Sequence, residues 1–279
     1  MRSYQHARPG TFLCMDLHGR TALLTGATGG LGRAISTALA ARGAKLILSS
    51  RKTEELVKLA RSLPGSGHTT LPCDLAEEGA ALALIEQAGD IDVLVANAGL
   101  PASGRLESFS QNEIGRALRV NLEAPVRMTR ELLPRWHERG SGHFVYISSI
   151  SGYASAPRAS VYAATKFGLR GFALNLREDL RDSGIGVSVI TPGFIREAGM
   201  FADSGGAPPP GLGTGTPRQV GNAAVHAIER NKSEISVAPL RQRALARFAM
   251  MAPEISGRVA GSAAVKIADE ITSGQTDKR

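Results

Sequence analysis

Residues 21–35, TALLTGATGGLGRAI, constrain the fold of this chain more than any other stretch. ALLT is a short apolar run fit for a buried strand, and Gly26, Gly29, Gly30 and Gly32 follow it at once. From Leu31 the pattern becomes helical, with Leu31, Ile35, Ala38 and Leu39 marking one face up to Arg42 and Gly43. Glycines at a strand-to-helix turn let the backbone approach a pyrophosphate, and the helix start offers free N–H groups and a positive dipole end. A glycine cluster alone also fits an ordinary loop between a strand and a helix. The next unit narrows the choice. GAKLILSSR reads as a second strand that ends in small polar residues followed by Arg51, where the ribose of a bound dinucleotide would lie.

The alternation of strand and helix continues in the order that a doubly wound parallel sheet requires. Strands are expected at 21–25, 45–49, 68–72, 91–96, 143–148, 186–191 and 234–238, and helices near 31–42, 52–62, 76–88, 110–138, 160–182 and 217–230. Gly115 and Pro125 predict a break in the fourth helix around Asn121. Residues 203–217, DSGGAPPPGLGTGTP, predict a flexible loop that either closes over a substrate or crosses without contact. A chain of 279 residues with 43% hydrophobic and 21% charged residues has the composition of a soluble enzyme with a substantial core.

The chemistry concentrates in SSISG and YAATK. Tyr162 and Lys166 are four residues apart, so on a helix they share one face. A neighbouring ammonium stabilises phenolate, so Lys166 is expected to lower the Tyr162 pKa and let it exchange protons near neutrality. Ser149 ends the apolar run HFVYIS, where a buried strand would deliver its hydroxyl to a cleft. Taken alone, the same residues fit a surface tyrosine, a solvated lysine and a serine that caps a strand.

With both ends in place, the chain resembles the short-chain dehydrogenase/reductase family in its common single-domain form, from about Leu17 to Ala238. Its glycine motif is matched by Thr25, Gly26, Gly30 and Gly32, and its Asp after the third strand by Asp74. The NAG motif is Asn97, Ala98 and Gly99, preceded by Ala96 where the family often has Asn. The Asn, Ser, Tyr and Lys of its catalytic tetrad are matched by Asn121, Ser149, Tyr162 and Lys166, and its PG motif by Pro192 and Gly193. The resemblance implies a Rossmann-type α/β fold, a doubly wound parallel sheet of about seven strands flanked by helices. It would be one catalytic domain over 15–239, with an N-terminal extension at 1–14 and a helical C-terminal extension at 240–279.

The resemblance implies an oxidoreductase that interconverts a carbonyl compound and a secondary alcohol by hydride transfer. Tyr162 would be general acid or base, and Lys166 would depress its pKa and hold the nicotinamide ribose. Ser149 would stabilise charge on the carbonyl oxygen, and Asn121 would hold a water linking Lys166 to solvent. Cofactor contacts would come from Gly26, Thr28, Gly30, Leu31, Gly32, Ser50, Arg51, Asp74, Leu75, Asn97, Ala98, Gly99, Tyr162, Lys166, Pro192, Gly193 and Ile195. Family members that use NAD carry an Asp after the second strand, whereas Ser50 and Arg51 here suit a 2′-phosphate. NADP(H) is therefore expected over NAD(H), although Gly29 stands where many NADP-using relatives have a basic residue. Glu197 replaces a frequent Thr, which puts that cofactor contact in doubt. No metal site is expected. Leu100, Ser151, Tyr153, Phe194 and the 197–213 loop suggest a partly apolar substrate, such as an acyl thioester, a steroid, a fatty ketone or a polyketide. A non-catalytic dinucleotide-binding relative is the alternative, and retention of the tetrad argues against it.

The remaining features bound partners. The net charge of +8 is scattered without a basic stripe, so no nucleic-acid role is expected. Two cysteines, Cys14 and Cys73, give no disulfide framework and fit a reducing cytoplasm. The N-terminus lacks the apolar core of a secretory signal, and Met15 is a natural start for this family. In LRQRALARFAMM, Leu240, Ala244, Leu245, Phe248 and Met251 form an apolar face flanked by Arg241, Arg243 and Arg247. This face is expected to pack on its own domain or on a partner subunit. Contact with an anionic membrane, as in a membrane-peripheral lipid or ketoacyl reductase, is the alternative. The family's habit implies a homo-oligomer, dimer or tetramer.

Overall fold

The computed structural model describes residues 14–203 and 211–255, together with Val265, Ala268, Asp269 and Thr272. The expected N-terminal extension up to residue 13, the middle of the Gly/Pro-rich loop (204–210) and most of the tail after Ile255 lie outside the described residues. In chain order the strands are β1 (Thr21–Thr25), β2 (Lys45–Ser49), β3 (Thr69–Thr70), β4 (Val93–Ala96), β5 (Gly142–Ile147), β6 (Ile185–Pro192) and β7 (Glu234–Val237). The helices are α1 (Gly30–Ala40), α2 (Thr53–Ser62), α3 (Ala80–Ala88), α4 (Gln111–Leu118), α5 (Ala124–Arg139), α6 (Ser160–Asp179), α7 (Met200–Asp203), α8 (Pro217–Glu229) and α9 (Leu240–Met251).

All seven strands pair in parallel, in the order β3-β2-β1-β4-β5-β6-β7. Every residue of β5 and β6 is buried, as expected of a parallel sheet covered on both faces. Alternation along β1 assigns the faces. Ala22 and Leu24 join the core that contains Ile35, Leu56 and Val220, from α1, α2 and α8. Leu23 joins the opposite core with Ile85, Met128 and Leu169, from α3, α5 and α6. Because β4 returns beside β1, the chain turns in opposite directions from these two strands. Their carboxyl ends therefore open a crevice between the loops.

Local chemistry sets the boundaries. Ser110 and Glu113 form a capping box at the start of α4, and Thr216 and Gln219 form another at the start of α8 with Pro217 at its first turn. The expected break in the long fourth helix is a π turn, Arg119–Glu123, between α4 and α5. The third strand is shorter than the 68–72 expected, because Pro72 has no N–H to donate on this edge. The third helix starts at Ala80 rather than near 76. Asp74 accepts the Ala76 N–H at 3.0 Å, and Gly79 adopts a left-handed φ of 75°. Cys73 is half-buried at this edge, and Cys14 and Cys73 are both free. Among the described residues no helix is long and apolar enough to cross a membrane.

The largest departure is α9. Its buried residues are Gln242, Ala246 and Ala249, while Leu240, Leu245, Phe248 and Met251 are exposed. The apolar face does not pack on the described residues of the domain. Small residues on the other side allow a close approach, and Gln242 finds hydrogen-bond partners there.

His143 on β5 is buried and hydrogen-bonds the Ser188 hydroxyl at 2.8 Å. Burial, with Arg177 nearby, holds its imidazole down at about 3, against an ordinary 6.5. Between those values the unfolded chain binds a proton that the native chain does not, so stability falls as pH drops through that window. Urea unfolding from neutral pH down to about pH 4 should show this as up to about 1.4 kcal/mol per pH unit. His143→Gln should flatten the slope, and identical slopes would contradict the assignment.

Candidate active site

The crevice is built from the carboxyl ends of β1, β4, β5 and β6. At β1, Gly26 has φ 64° and leads into the turn before α1. A methyl group on Gly32 would sit 2.2 Å from the Gly26 carbonyl oxygen and 2.7 Å from that of Ala27. Only glycine allows α1 to start this close to the strand. Gly29 at the helix start has no side-chain cap, and no acid lies in the first turn, so the N–H groups and dipole there remain available to an anion. The donor set thus fits the diphosphate of a dinucleotide.

The end of β2 carries the expected polar cluster. Thr28 donates to the Ser50 hydroxyl at 3.0 Å, and Arg51 is half-exposed with its guanidinium 4.0 Å from Asp74. Arg33, which the sequence reading passed over, reaches this corner as well. It donates to the Thr28 carbonyl at 3.0 Å and pairs with Glu55 at 2.9 Å. Leu75 and Ile195 are buried, and their side chains serve the two cores rather than the crevice.

At β4, Asn97 bolts two strand ends together. Its side chain donates to the carbonyls of Thr25 and Gly26 at 3.0 and 3.1 Å, while Thr25 Oγ1 accepts the N–H groups of Asn97 and Ala98, both at 3.1 Å. A methyl on Gly26 would meet Ala98 Cα at 2.8 Å, so these two turns touch. Gly99 then borders Asn121, Lys166 and the Met200 side chain.

The tetrad residues converge on this point. Asn121, on the π turn, is fully buried; its Oδ1 accepts the Leu100 N–H at 2.7 Å. Its Nδ2 donates to the Leu100 carbonyl at 3.0 Å and to Thr165 Oγ1 at 3.3 Å. Both amide protons are committed to protein atoms, so the side chain ties the turn after β4 to the π turn and α6. Thr165, missed in the sequence, is the α6 end of that link.

Ser149 caps a single 3-10 turn by accepting the Ser151 N–H at 3.1 Å, and it also hydrogen-bonds the Tyr162 phenol. Lys166 is buried, donates to the Ile147 carbonyl at 3.0 Å, and holds its Nζ 5.7 Å from the Tyr162 ring centre. The expectation that Lys166 lowers the Tyr162 pKa is not met in this arrangement. Burial pushes the phenol up to about 12, with the Ser149 hydrogen bond pulling downward, and burial pushes the Lys166 amine down to about 8. Desolvation is the largest cause of both shifts.

The segment after β6 closes the crevice. Gly193 donates to the Val237 carbonyl at 3.0 Å, and Phe194 and Phe201 pack at a tilt with ring centres 4.7 Å apart. A methyl on Gly30 would come within 2.3 Å of Ala198 Cβ, so this segment lies against the glycine turn. Glu197, in the family's Thr position, has φ 73° and pairs with Arg196 at 2.9 Å. Gln242 from α9, absent from the sequence reading, accepts the Phe194 N–H at 3.2 Å and donates to the Gly213 carbonyl at 2.6 Å. A glutamine within a helix carries no sequence signal for such a clamp.

This arrangement of sheet and crevice belongs to a known family. A family model described as short chain dehydrogenase matches residues 20–206, and the chain belongs to that family of oxidoreductases acting on CH–OH and C=O groups. It is similar to the ketoacyl reductase HetN of a Nostoc species, 37% identical over 227 residues that cover 79% of each chain. It is also similar to mouse dehydrogenase/reductase SDR family member 7B, 38% identical over 64% of this chain, and spans 58% of that protein's length. Among solved structures, a Sphingobium yanoikuyae short-chain dehydrogenase in complex with NADPH superposes with a TM-score of 0.72. It shares 27% identity, over 87% of this chain and 96% of that one.

The glycine turn makes a direct prediction. Gly32→Ala should cost about 1–3 kcal/mol in urea unfolding, because backbone must shift. Gly29→Ala, whose methyl would sit at 3.4 Å, should be near neutral. Equal effects would contradict the close approach.

Proposed function

We propose that this protein is an NADP(H)-dependent reductase or dehydrogenase that interconverts a partly apolar carbonyl compound and its secondary alcohol. The observation that carries the reading is the convergence of Ser149, Tyr162 and Lys166 on one crevice beside the glycine turn. NADP(H), when bound, supplies or accepts the hydride. Tyr162, protonated at neutral pH, donates its proton to the carbonyl oxygen as reduction proceeds, and its phenolate takes that proton back in the reverse direction. Ser149 donates a hydrogen bond to the same oxygen where negative charge develops. Lys166 faces the ring and supplies positive charge as the phenol gives up its proton. Asn121 holds the backbone frame that sets their spacing.

Ser50 and Arg51 support the phosphorylated dinucleotide, since a guanidinium and a neutral hydroxyl suit a 2′-phosphate better than an aspartate would. The NADPH complex of the similar Sphingobium enzyme supports the same choice. Buried or half-buried Leu100, Tyr153 and Phe194 around the crevice favour a partly apolar substrate, and the name of the HetN relative supports an acyl ketone.

Tyr162→Phe should lower turnover by about 100- to 10,000-fold while NADPH fluorescence titration shows retained binding. Loss of both would sink the proton-donor role. Because the phenol ionises well above neutrality, alcohol oxidation should climb steadily with pH through the alkaline range; a profile that is flat from neutrality upward would argue against Tyr162 as the base. Arg51→Asp should weaken NADPH by about 10- to 100-fold, in line with loss of a charge-assisted hydrogen bond, and leave NADH nearly unchanged. Equal weakening of both would refute the 2′-phosphate contact.

A further inference from the structure

We propose that the outer face of α9 docks on an anionic lipid bilayer and sets the mouth of the crevice against it. On a helix of 3.6 residues per turn, Leu240, Ala244, Phe248 and Met251 form one stripe with Leu245 beside it. The structure turns that stripe outward: Leu240 is 77% exposed and Met251 82%, and Met250 and Ile255 add exposed apolar area. The opposite side, Gln242, Ala246 and Ala249, packs on the domain. An amphipathic helix normally faces its apolar side to the core, so this inversion asks for an external apolar partner.

Charge selects that partner. Arg241 and Arg247 border the stripe and Arg243 lies further round, and no acidic residue occurs between Ala238 and Pro253. Neither Arg241 nor Arg247 forms an ion pair with a described residue. A second copy of this chain, meeting the face across a two-fold axis, would oppose arginines to arginines. An anionic bilayer takes apolar side chains into its interface and guanidinium groups at its headgroups, satisfying both halves of the pattern.

The position of the helix gives the docking a consequence. Gln242 is 2% exposed and clamps the closing segment from both sides, accepting from Phe194 N–H and donating to the carbonyls of Gly213 at 2.6 Å and Leu212 at 3.3 Å. A methyl on Gly193 would sit 2.2 Å from Gln242 Oε1, so the helix presses directly on the segment at the end of β6. A surface bound to the outer side of α9 therefore lies one helix away from the crevice, where a lipophilic substrate dissolved in the bilayer can enter. Docking itself needs no assumption about the chemistry in the crevice, and sedimentation reads it without turnover.

The full-length chain should co-sediment with vesicles of phosphatidylcholine containing about 30% phosphatidylglycerol at least tenfold more than with pure phosphatidylcholine vesicles, and added salt should release it. Leu245→Glu with Phe248→Glu should reduce that binding about tenfold or more with circular dichroism unchanged. Arg241→Gln with Arg247→Gln should remove most of the preference for the anionic vesicles. Absence of binding, equal binding to both vesicles, or binding unaffected by the glutamates would overturn the proposal. So would a dimer in size-exclusion chromatography that the glutamates dissociate without any lipid binding by the parent chain.

Discussion

The buried amide of Asn121 is the constraint on which the rest of the site depends. It joins three elements that are far apart in sequence: the turn after β4 through Leu100, the π turn between α4 and α5, and α6 through Thr165. A regular helix through residues 119–123 would rotate the side chain away from Leu100. The extra residue of a π turn re-aims it, which is a common use of that distortion near functional sites. An asparagine stripped of water must satisfy its acceptor and both donors or lose the desolvation cost of each. Here every group has a partner, so the node is rigid, and α6 presents Tyr162 and Lys166 in fixed positions.

Around that node the fold accepts an energetic cost. A lysine amine is placed in a dry interior with a single carbonyl, Ile147, as its partner. Its native pKa of about 8 lies below the ordinary 10.5, so the native state resists the proton that the unfolded chain holds. The sign follows: the penalty is fully present below about 8 and fades as pH rises toward 10.5. It amounts to a few kcal/mol, roughly the size of several buried hydrogen bonds. The neighbouring phenol is also driven toward its neutral form, so the crevice holds a proton in reserve rather than a preformed phenolate.

The fold was legible because its signals are local and periodic. The β1–glycine–α1 run and the apolar strands β5 and β6 needed only period and composition to be placed. Errors fell where neighbours decide. Pro72 shortened an edge strand, and Asp74 delayed α3 through a side-chain hydrogen bond. In the site, residue types were readable and energetics were not. Spacing puts Lys166 beside Tyr162, but only the surrounding burial reveals that desolvation pushes the phenol up and the amine down. The orientation of α9 was equally hidden. Its apolar stripe was plain in sequence, while the side that faces the domain was chosen by Gln242 and two alanines that carry no hydrophobic signal.

The buried amine beside the phenol is best examined by titrating Lys166 itself, using nuclear magnetic resonance of lysine side chains with Lys166→Met to assign the signal. Its placement requires a midpoint of about 8. A midpoint at the ordinary lysine value of 10.5 would mean a solvated side chain, and the proton-holding crevice described here would not exist.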